Sequence, residues 1–555
     1  MRAWKNTLIG LAAVLTLAAW SPEARATAAC GDLNNNGSVT SGDALLLLQV
    51  ASGSNPGTSL CGGSGALQCG DMNKDGGITI GDVVILLNHV VGNPTLFYCT
   101  GTGNDVAPGT TLSGNINQNQ RWVAGTPNCC ACDASNTIFV NGTTFVQPGV
   151  TITVKPGTCI KERKGASTPS VLVFQPGAKI NAAGTVTCPI VFTSDQPPGS
   201  RGIGDHGGLV LNGNAPVNCP GGTCQAEGLN NVPFGGNNPN DSSGLLRFVR
   251  VEFSGIEISP DNELNLLTQN GIGRGTTIDH VQANVGFDDC MEWFGGTVNE
   301  KFLVASGCGD DMFDWQLATT GAYQYGLGVH RQTFLQAGNG NNGFEGDNNE
   351  NGFDLLPRSD PKYCNFTLIG TKGQAGASGG SGVLLRRGTA GKIANSLMMN
   401  FFTSGIAFRD DATAQQACID HTTLKTTNPY LVVENSIFYN NGPAGDAQIT
   451  SALTSPPCTA NEWYDLLVAQ RGVVPARGAG NVGPNPLIGA TYPTDPASGQ
   501  FVPPANSPLA TTPAADCHQL DDSLDTTNYL GAFQPNGANW LFPAAGSCWI
   551  SFAQN

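Results

Sequence analysis

Val251-Glu-Phe-Ser-Gly255, Val281-Gln-Ala-Asn-Val-Gly286, Leu303-Val-Ala-Ser-Gly307, Phe334-Leu-Gln-Ala-Gly338, Phe366-Thr-Leu-Ile-Gly370, Leu397-Met-Met-Asn400 and Ile437-Phe-Tyr-Asn-Asn-Gly442 are short apolar strands that end in or near glycine. Their starts fall 30, 22, 31, 32, 31 and 40 residues apart. Self-similarity near this period marks a solenoid, in which each rung buries its apolar face against its neighbours. Upstream, Pro148-Gly149, Pro156-Gly157 and Pro176-Gly177 separate Val/Ile-rich segments. Proline followed by glycine suits positions i+1 and i+2 of a type II turn. No amphipathic helical pattern lies between the strands, which disfavours βαβ units. A propeller blade would need ~40–45 residues with regular hairpins. The expectation is a mainly β chain with a parallel β-helix over residues 100–445.

Composition agrees. Of 555 residues, 74 are glycine and only 12% are charged, with 26 Lys and Arg against 42 Asp and Glu for a net charge of −16. Few charges and 40% hydrophobic residues argue against disorder. The acidic balance argues against nucleic acid, whose phosphates need clustered Lys and Arg.

Arg2 and Lys5 precede the apolar run Leu8–Ala19, and Ala26-Thr27-Ala28 offers a cleavage site. Residues 1–28 read as a secretory signal, and no later stretch has the ~18–20 apolar residues of a membrane span. The expected localisation is therefore secreted, extracellular or at the cell surface. All 18 cysteines lie beyond the signal, so disulfides are the default in an oxidising compartment. Cys219 and Cys224 bracket a short Pro-Gly-Gly loop and make a natural local pair. Cys69 and Cys99 flank a second repeat, described next, and are expected to close it. The cluster Cys129-Cys130-x-Cys132 has no partner pair at zinc-finger spacing.

Near the mature N-terminus, Asp32-Leu-Asn34-Asn-Asn36-Gly37-Ser38-Val39-Thr40-Ser-Gly-Asp43 precedes the apolar run Ala44–Val50. Thirty-nine residues on, Asp71-Met-Asn73-Lys-Asp75-Gly76-Gly77-Ile78-Thr79-Ile-Gly-Asp82 precedes Val83-Val-Ile-Leu-Leu. Oxygen-bearing side chains occupy loop positions 1, 3, 5, 9 and 12, with glycine at position 6. Calcium takes six to eight oxygens, and glycine at position 6 permits the sharp turn. The bland alternative is two Asn/Gly turns that each cap a helix.

The pair resembles the dockerin module, over about residues 29–99. The resemblance implies calcium ligands at Asp32, Asn34, Asn36, Thr40 and Asp43, and at Asp71, Asn73, Asp75, Thr79 and Asp82. The backbone carbonyls of Ser38 and Gly77 would add to these. It also implies a cohesin-like protein partner. Positions 10 and 11, which help to read that partner in dockerins, are here Ser41-Gly42 and Ile80-Gly81.

The longer part resembles secreted bacterial right-handed parallel β-helix proteins of the broad pectin-lyase-like class. Ser243–Gly255, Gly275–Val281, Trp293-Phe-Gly-Gly-Thr-Val298, Tyr529-Leu-Gly-Ala-Phe533 and Asn539-Trp540 carry the resemblance. A polysaccharide ligand is one implication. Residues 446–555, rich in Pro, Ala, Thr and Ser and then aromatic, read as loops and a terminal cap.

One feature could carry chemistry. Gly286-Phe-Asp288-Asp289-Cys-Met-Glu292-Trp293 is echoed 22 residues later by Asp310-Asp311-Met-Phe-Asp314-Trp315. Asn342-Gly-Phe-Glu345 offers a third member, and Arg386-Arg387 and Arg409-Asp410-Asp411 sit at similar points of later rungs. Residues matched on neighbouring strands lie ~4.8 Å apart, so stacked carboxylates repel unless a cation or protons intervene. Three readings follow. The expected one is structural, with turn carboxylates bound to backbone N–H groups, calcium or the arginines. A second uses Asp288, Asp289, Asp310 and Asp311 as acid and base in glycoside hydrolysis. Here Asp-Asp-Cys resembles part of a polygalacturonase motif, although the Gly-His-Gly and Arg-Ile-Lys elements are missing. The third is lyase chemistry, with calcium on the acids and Arg386 or Arg387 as base. Trp293 and Trp315 are read as core filling rather than sugar platforms.

Overall fold

The computed structural model describes residues 31–34, 39–54, 56, 60–63, 67–72, 78–90, 104–122, 129–165, 168–260, 262–336, 340–417, 431–442, 449–451, 483–489 and 500–553. The expected signal segment, 1–28, lies outside them. The chain divides into two compact units, Met1–Thr102 and Gly103–Asn555.

The first unit is built on two helices, α1 (Ser41–Ala51) and α2 (Ile80–Val90). Thr40 caps α1 through a reciprocal box. Its hydroxyl accepts the Gly42 N–H at 3.2 Å, while Asp43 Oδ2 accepts the Thr40 N–H at 2.9 Å. Leu33, Ala44, Leu47, Met72, Val83 and Leu86 form the core, with a disulfide between Cys61 and Cys69. That bridge corrects the expected Cys69–Cys99 pairing. The Cys61 N–H donates to the Leu33 carbonyl, and the two cysteines stand 5.7 Å apart at Cα, within bonding range. Cys99 lies outside the described residues.

In the second unit, strands from Asn104 to Ser451 join side by side into one 26-stranded system of parallel pairs. They form three ladders, so the coil has three faces. The first ladder climbs through Val171–Phe174, Leu209–Asn212, Leu267–Asn270, Met291–Phe294, Phe313–Gln316, Phe344–Gly346, Ser381–Leu385 and Ser404–Phe408. The second and third share long strands such as Gly244–Ser254, Thr277–Gly286 and Asn299–Ser306, each bent at one residue. The bend falls on Phe248, His280, Phe302, Tyr325, Asn365, Asn395 and Asn435, all with φ between 43° and 63°. Left-handed backbone is costly for non-glycine residues. Along this corner, stacking offsets the cost: successive ring centroids from Phe248 through His280 and Phe302 to Tyr325 lie 4.6, 4.3 and 4.9 Å apart.

Two details of the repeat differ from the sequence reading. Phe334, Leu335 and Gln336 form no strand, and Ala337 and Gly338 lie outside the described residues; the strand that pairs into the ladder there is Ala322–Val329. Its apolar signal is hidden because Gly326 and Gly328 leave room for their neighbours. A Cβ on Gly326 would meet the Phe366 ring at 1.9 Å, and one on Gly328 would meet Met312 Sδ at 2.3 Å. Val281 pairs with Val249 rather than Val251, a shift of two that preserves the inward face. Trp122, Trp293, Trp315, Tyr323 and Tyr363 are fully buried in the bore. Glu300 shares that interior. Its Oε1 accepts the Trp293 Nε1–H at 2.7 Å, while Oε2 has no hydrogen-bond partner.

The described part of the C-terminal segment is loop-rich, as expected. It lies along the flank. Phe501, Leu509, Leu530, Phe533, Trp549 and Phe552 pack on Val304, Leu327, Val329, Ile369, Leu397 and Met399. Those third-ladder residues point outward yet are apolar, so this face is buried on both sides and needs a cover. Disulfides Cys130–Cys548 and Cys364–Cys517 tie the cover down. The expected Cys219–Cys224 bridge is present. Among the described residues no helix is long and apolar enough to cross a membrane.

Candidate functional site

On the first ladder, alternation sends Met291 and Trp293 into the bore and Glu292 outward. Register then stacks Glu292 on Asp314 and Asp314 on Glu345. Thr268 precedes this column and Leu384 follows it. The turns before these strands carry Asp288-Asp289, Asp310-Asp311 and Asn341-Asn342. All four sequence-predicted aspartates thus come together on the two rungs expected.

The turn carboxylates bind backbone. Asp289 Oδ1 accepts the Asp311 N–H at 2.7 Å, and Asp311 accepts the Asn342 N–H. Asp310 Oδ1 accepts the Asn341 N–H at 2.5 Å, and Asn342 Oδ1 takes the Ser381 N–H at 2.9 Å. Each of these rungs therefore reaches the next rung's backbone through a side chain, and the middle one does so through both Asp310 and Asp311. Within the column, Glu292 accepts from Asn265 (2.6 Å) and Gln316 (3.0 Å). Asp314 Oδ1 is closed to water and has no hydrogen-bond partner.

These groups line a groove of about 530 Å³. Its other wall rises from two small antiparallel hairpins, Cys224–Gln225 with Pro233–Phe234 and Ile256–Ser259 with Asn262–Leu264. They supply the Cys219–Cys224 loop, Glu227 and Glu263, while Glu350 joins from a later loop. Sequence reasoning missed these three glutamates, which sit singly in turn-rich insertions with no repeat to mark them. Ten lining residues are acidic and two, Arg386 and Arg387, are basic.

Crowding and burial act together on the acids. Desolvation first, and neighbouring carboxylates second, hold Asp288, Asp289, Glu292, Asp311 and Asp314 well above the ordinary carboxylate range. Burial lifts Glu345 to about 7 even beside Arg386. Burial, then Glu263, lifts Glu227 to about 7. Arg386 bonds Asp347 Oδ1 at 2.9 Å and pairs with Glu345; Arg387 bonds Asp347 Oδ2 at 2.7 Å. Burial opposes the charge on Arg386, but Asp347 and Glu345 outweigh it and raise its pKa. Asp410 accepts the Arg387 N–H, and Asp411 begins a short helix.

The first unit holds the second candidate. Asp32, Asp43, Asp71 and Asp82 are all buried. Asp43 accepts the Asn34 N–H at 3.1 Å, closing position 12 onto position 3, and Asp82 accepts the Met72 and Thr79 N–H groups at 2.7 and 2.8 Å. The described donors, with Asn34, Thr40 and Thr79, are all oxygen-bearing, which fits a hard cation. Asn36, Ser38, Asn73, Asp75 and Gly77 lie outside the described residues. Outside the core, Leu45 and Leu48 of α1 and Val84 and Leu87 of α2 are exposed. The 39-residue repeat places Val84 on Leu45 and Leu87 on Leu48, so the unit shows the same apolar patch twice.

The family model of the pectate-lyase-like β-helix domain matches residues 127–459, and that of the type I dockerin domain matches residues 30–91. No curated protein and no solved structure matches the chain.

Proposed function

The chain belongs to the pectate-lyase-like β-helix family and carries a type I dockerin domain, and from that premise we propose a secreted protein that holds a glycan in its acidic groove while its dockerin fastens it to a cohesin-type partner. Type I dockerins are calcium-binding modules that bind cohesins. The twofold apolar patch Leu45/Leu48 and Val84/Leu87 gives such a partner an apolar surface on either helix.

The groove carries the rest of the reading. A cleft of this volume lined by carboxylates and amides offers many acceptors to sugar hydroxyls. Holding rather than cutting follows from where the acids are spent. Asp289 and Asp311 are acceptors for the neighbouring rung's backbone. Arg386, held as a cation, suits charge compensation and not proton abstraction.

Cleavage is the second reading. Glu227 and Glu345, both lifted to about 7, are carboxyls poised for proton transfer near neutral pH. A glycan array probed with the full chain, followed by assays for new reducing and unsaturated ends, separates the two. The first reading expects retention of a glycan with no new ends. It also expects Glu227→Gln with Asp288→Asn to abolish retention without lowering the melting temperature, since both changes relieve crowding. New ends that vanish in the double variant establish cleavage.

A further inference from the structure

The charge of the groove is one-sided in a way that bears on what it holds. Its two arginines are already engaged: Arg386 pairs with Glu345 and Asp347, and Arg387 bonds Asp347 and stands 3.7 Å from Glu350. Among the described residues, no arginine or lysine forms an ion pair with Asp288, Asp289, Glu292, Asp310, Asp311 or Asp314.

Asp314 itself points to an occupant. It stands in the middle of the column Glu292–Asp314–Glu345, lines the groove and is only 7% exposed. Its Oδ1 has no hydrogen-bond partner, whereas Glu292 accepts from Asn265 and Gln316, and Glu345 accepts from Asn342. An orphaned buried carboxylate oxygen is costly. The charge of a carboxylate is shared by both oxygens, so a cation on the groove side of Asp314 offsets that cost without entering the wall. Crowding adds to the demand. Burial first, then Asp310, Glu263 and Glu227, hold Asp288 well above the ordinary carboxylate range, and a positive ligand relieves the repulsion that a proton otherwise relieves.

The acids also repeat at a fixed interval. Glu292, Asp314 and Glu345 lie on successive rungs, ~4.8 Å apart, and one rung is close to the length of one sugar residue. A glycan laid across these rungs meets a carboxyl at each unit. Gln225, Gln316, Asn349 and Asn351 stand among the acids and suit hydroxyl groups, which a basic peptide would supply only sparsely.

We propose that the ligand of the groove is a basic glycan, a polymer of amino sugars with free amines, selected by Asp314 together with the partly exposed Asp288 and Asp310. This rests on the reading of the groove as a holder of glycan and names the charge of that glycan. A uronate polymer would set carboxylate against carboxylate. An N-acetylated polymer keeps the shape but loses the ammonium, and with it charge-assisted hydrogen bonds roughly twice as strong as neutral ones.

The test titrates the full chain, with millimolar calcium present throughout, against four probes: glucosamine oligomers, the same oligomers fully N-acetylated, oligogalacturonates and oligolysine. The glucosamine oligomer is expected to bind about tenfold more tightly than its N-acetylated form, and to bind less tightly as salt is raised. Oligogalacturonate should not be retained, and oligolysine should bind more weakly than the glucosamine oligomer. Asp314→Asn is expected to bring the two glucosamine forms level. Should that variant fail to fold, Asp288→Asn serves in its place, expected to narrow the same preference. Retention of oligogalacturonate, equal affinity for the N-acetylated form, or a preference untouched by the folded variant would overturn the inference and leave the groove's glycan-holding role standing. Tighter binding of oligolysine would overturn it in favour of a basic peptide. Retention of no glycan at all would overturn both readings together.

Discussion

Replacing Glu300 with Gln should make the β-helix more stable at neutral pH, and the gain should grow with pH. Glu300 is buried in the bore among Trp293, Tyr323 and Tyr363, and desolvation lifts its carboxyl from 4.5 to about 8. Below pH 4.5 both folded and unfolded chains hold the proton, and burial of the neutral acid carries no ionisation cost. Between 4.5 and about 8 the unfolded chain ionises while the folded one stays neutral. Stability then falls by ~1.4 kcal/mol per pH unit. The accumulated loss is ~3 kcal/mol at pH 7 and ~5 kcal/mol at pH 8, with no further change above that. Glu300→Gln keeps the shape and the acceptor for Trp293 Nε1–H but cannot ionise. The assay is the melting temperature of the β transition for both proteins from pH 4 to pH 9. Subtracting one curve from the other cancels the groove acids they share. The curves should meet near pH 4 and separate steadily to about pH 8. Parallel curves, or a variant less stable than wild type at pH 8, would refute the reasoning.

In the first unit, calcium should raise helical circular dichroism in the full chain. Asp43→Ala, which removes both a capping partner worth ~1 kcal/mol and a candidate ligand, should weaken that response; an unchanged titration would count against the calcium loops. Asp289→Ala leaves the Asp311 N–H without its acceptor and should cost ~1–3 kcal/mol by thermal unfolding, whereas Asp289→Asn, which can still accept, should cost far less. Cys548→Ser should expose the flanking C-terminal segment to limited proteolysis, because Cys130–Cys548 ties it to the early rungs; an unchanged digestion pattern would show that apolar contact alone holds it.

Much of this architecture is legible in the residues because a solenoid writes the same local environment repeatedly. Strands with glycine or asparagine at their ends, and Asp-Asp pairs 22 residues apart, fall on successive rungs as their spacing requires. Trp293 and Trp315 go to the bore, as strand alternation beside Glu292 and Asp314 demands. The repeat was misread where a neighbour supplies the missing volume. Gly326 and Gly328 look like a turn, yet Phe366 and Met312 fill the space above them. The flanking role of the C-terminal segment was hidden for a different reason. Val304, Leu327 and Ile369 are apolar on the outward face, and alternation cannot say what covers such a face. The second wall of the groove was illegible because Glu227 and Glu263 come from hairpins inserted between rungs, where sequence distance says nothing about proximity.

Carboxyl footprinting of the full chain with and without a glycan retained from the array tests the central claim most directly, with chain ends assayed in the same sample. If the groove holds the glycan, then Glu227, Asp288 and Asp310 should be protected from labelling when it is bound. Carboxyls away from the groove, such as Asp521 and Asp522, should label unchanged, and no new ends should form. Protection elsewhere with an unaltered groove would contradict the account, and so would new ends that accumulate while the groove is protected.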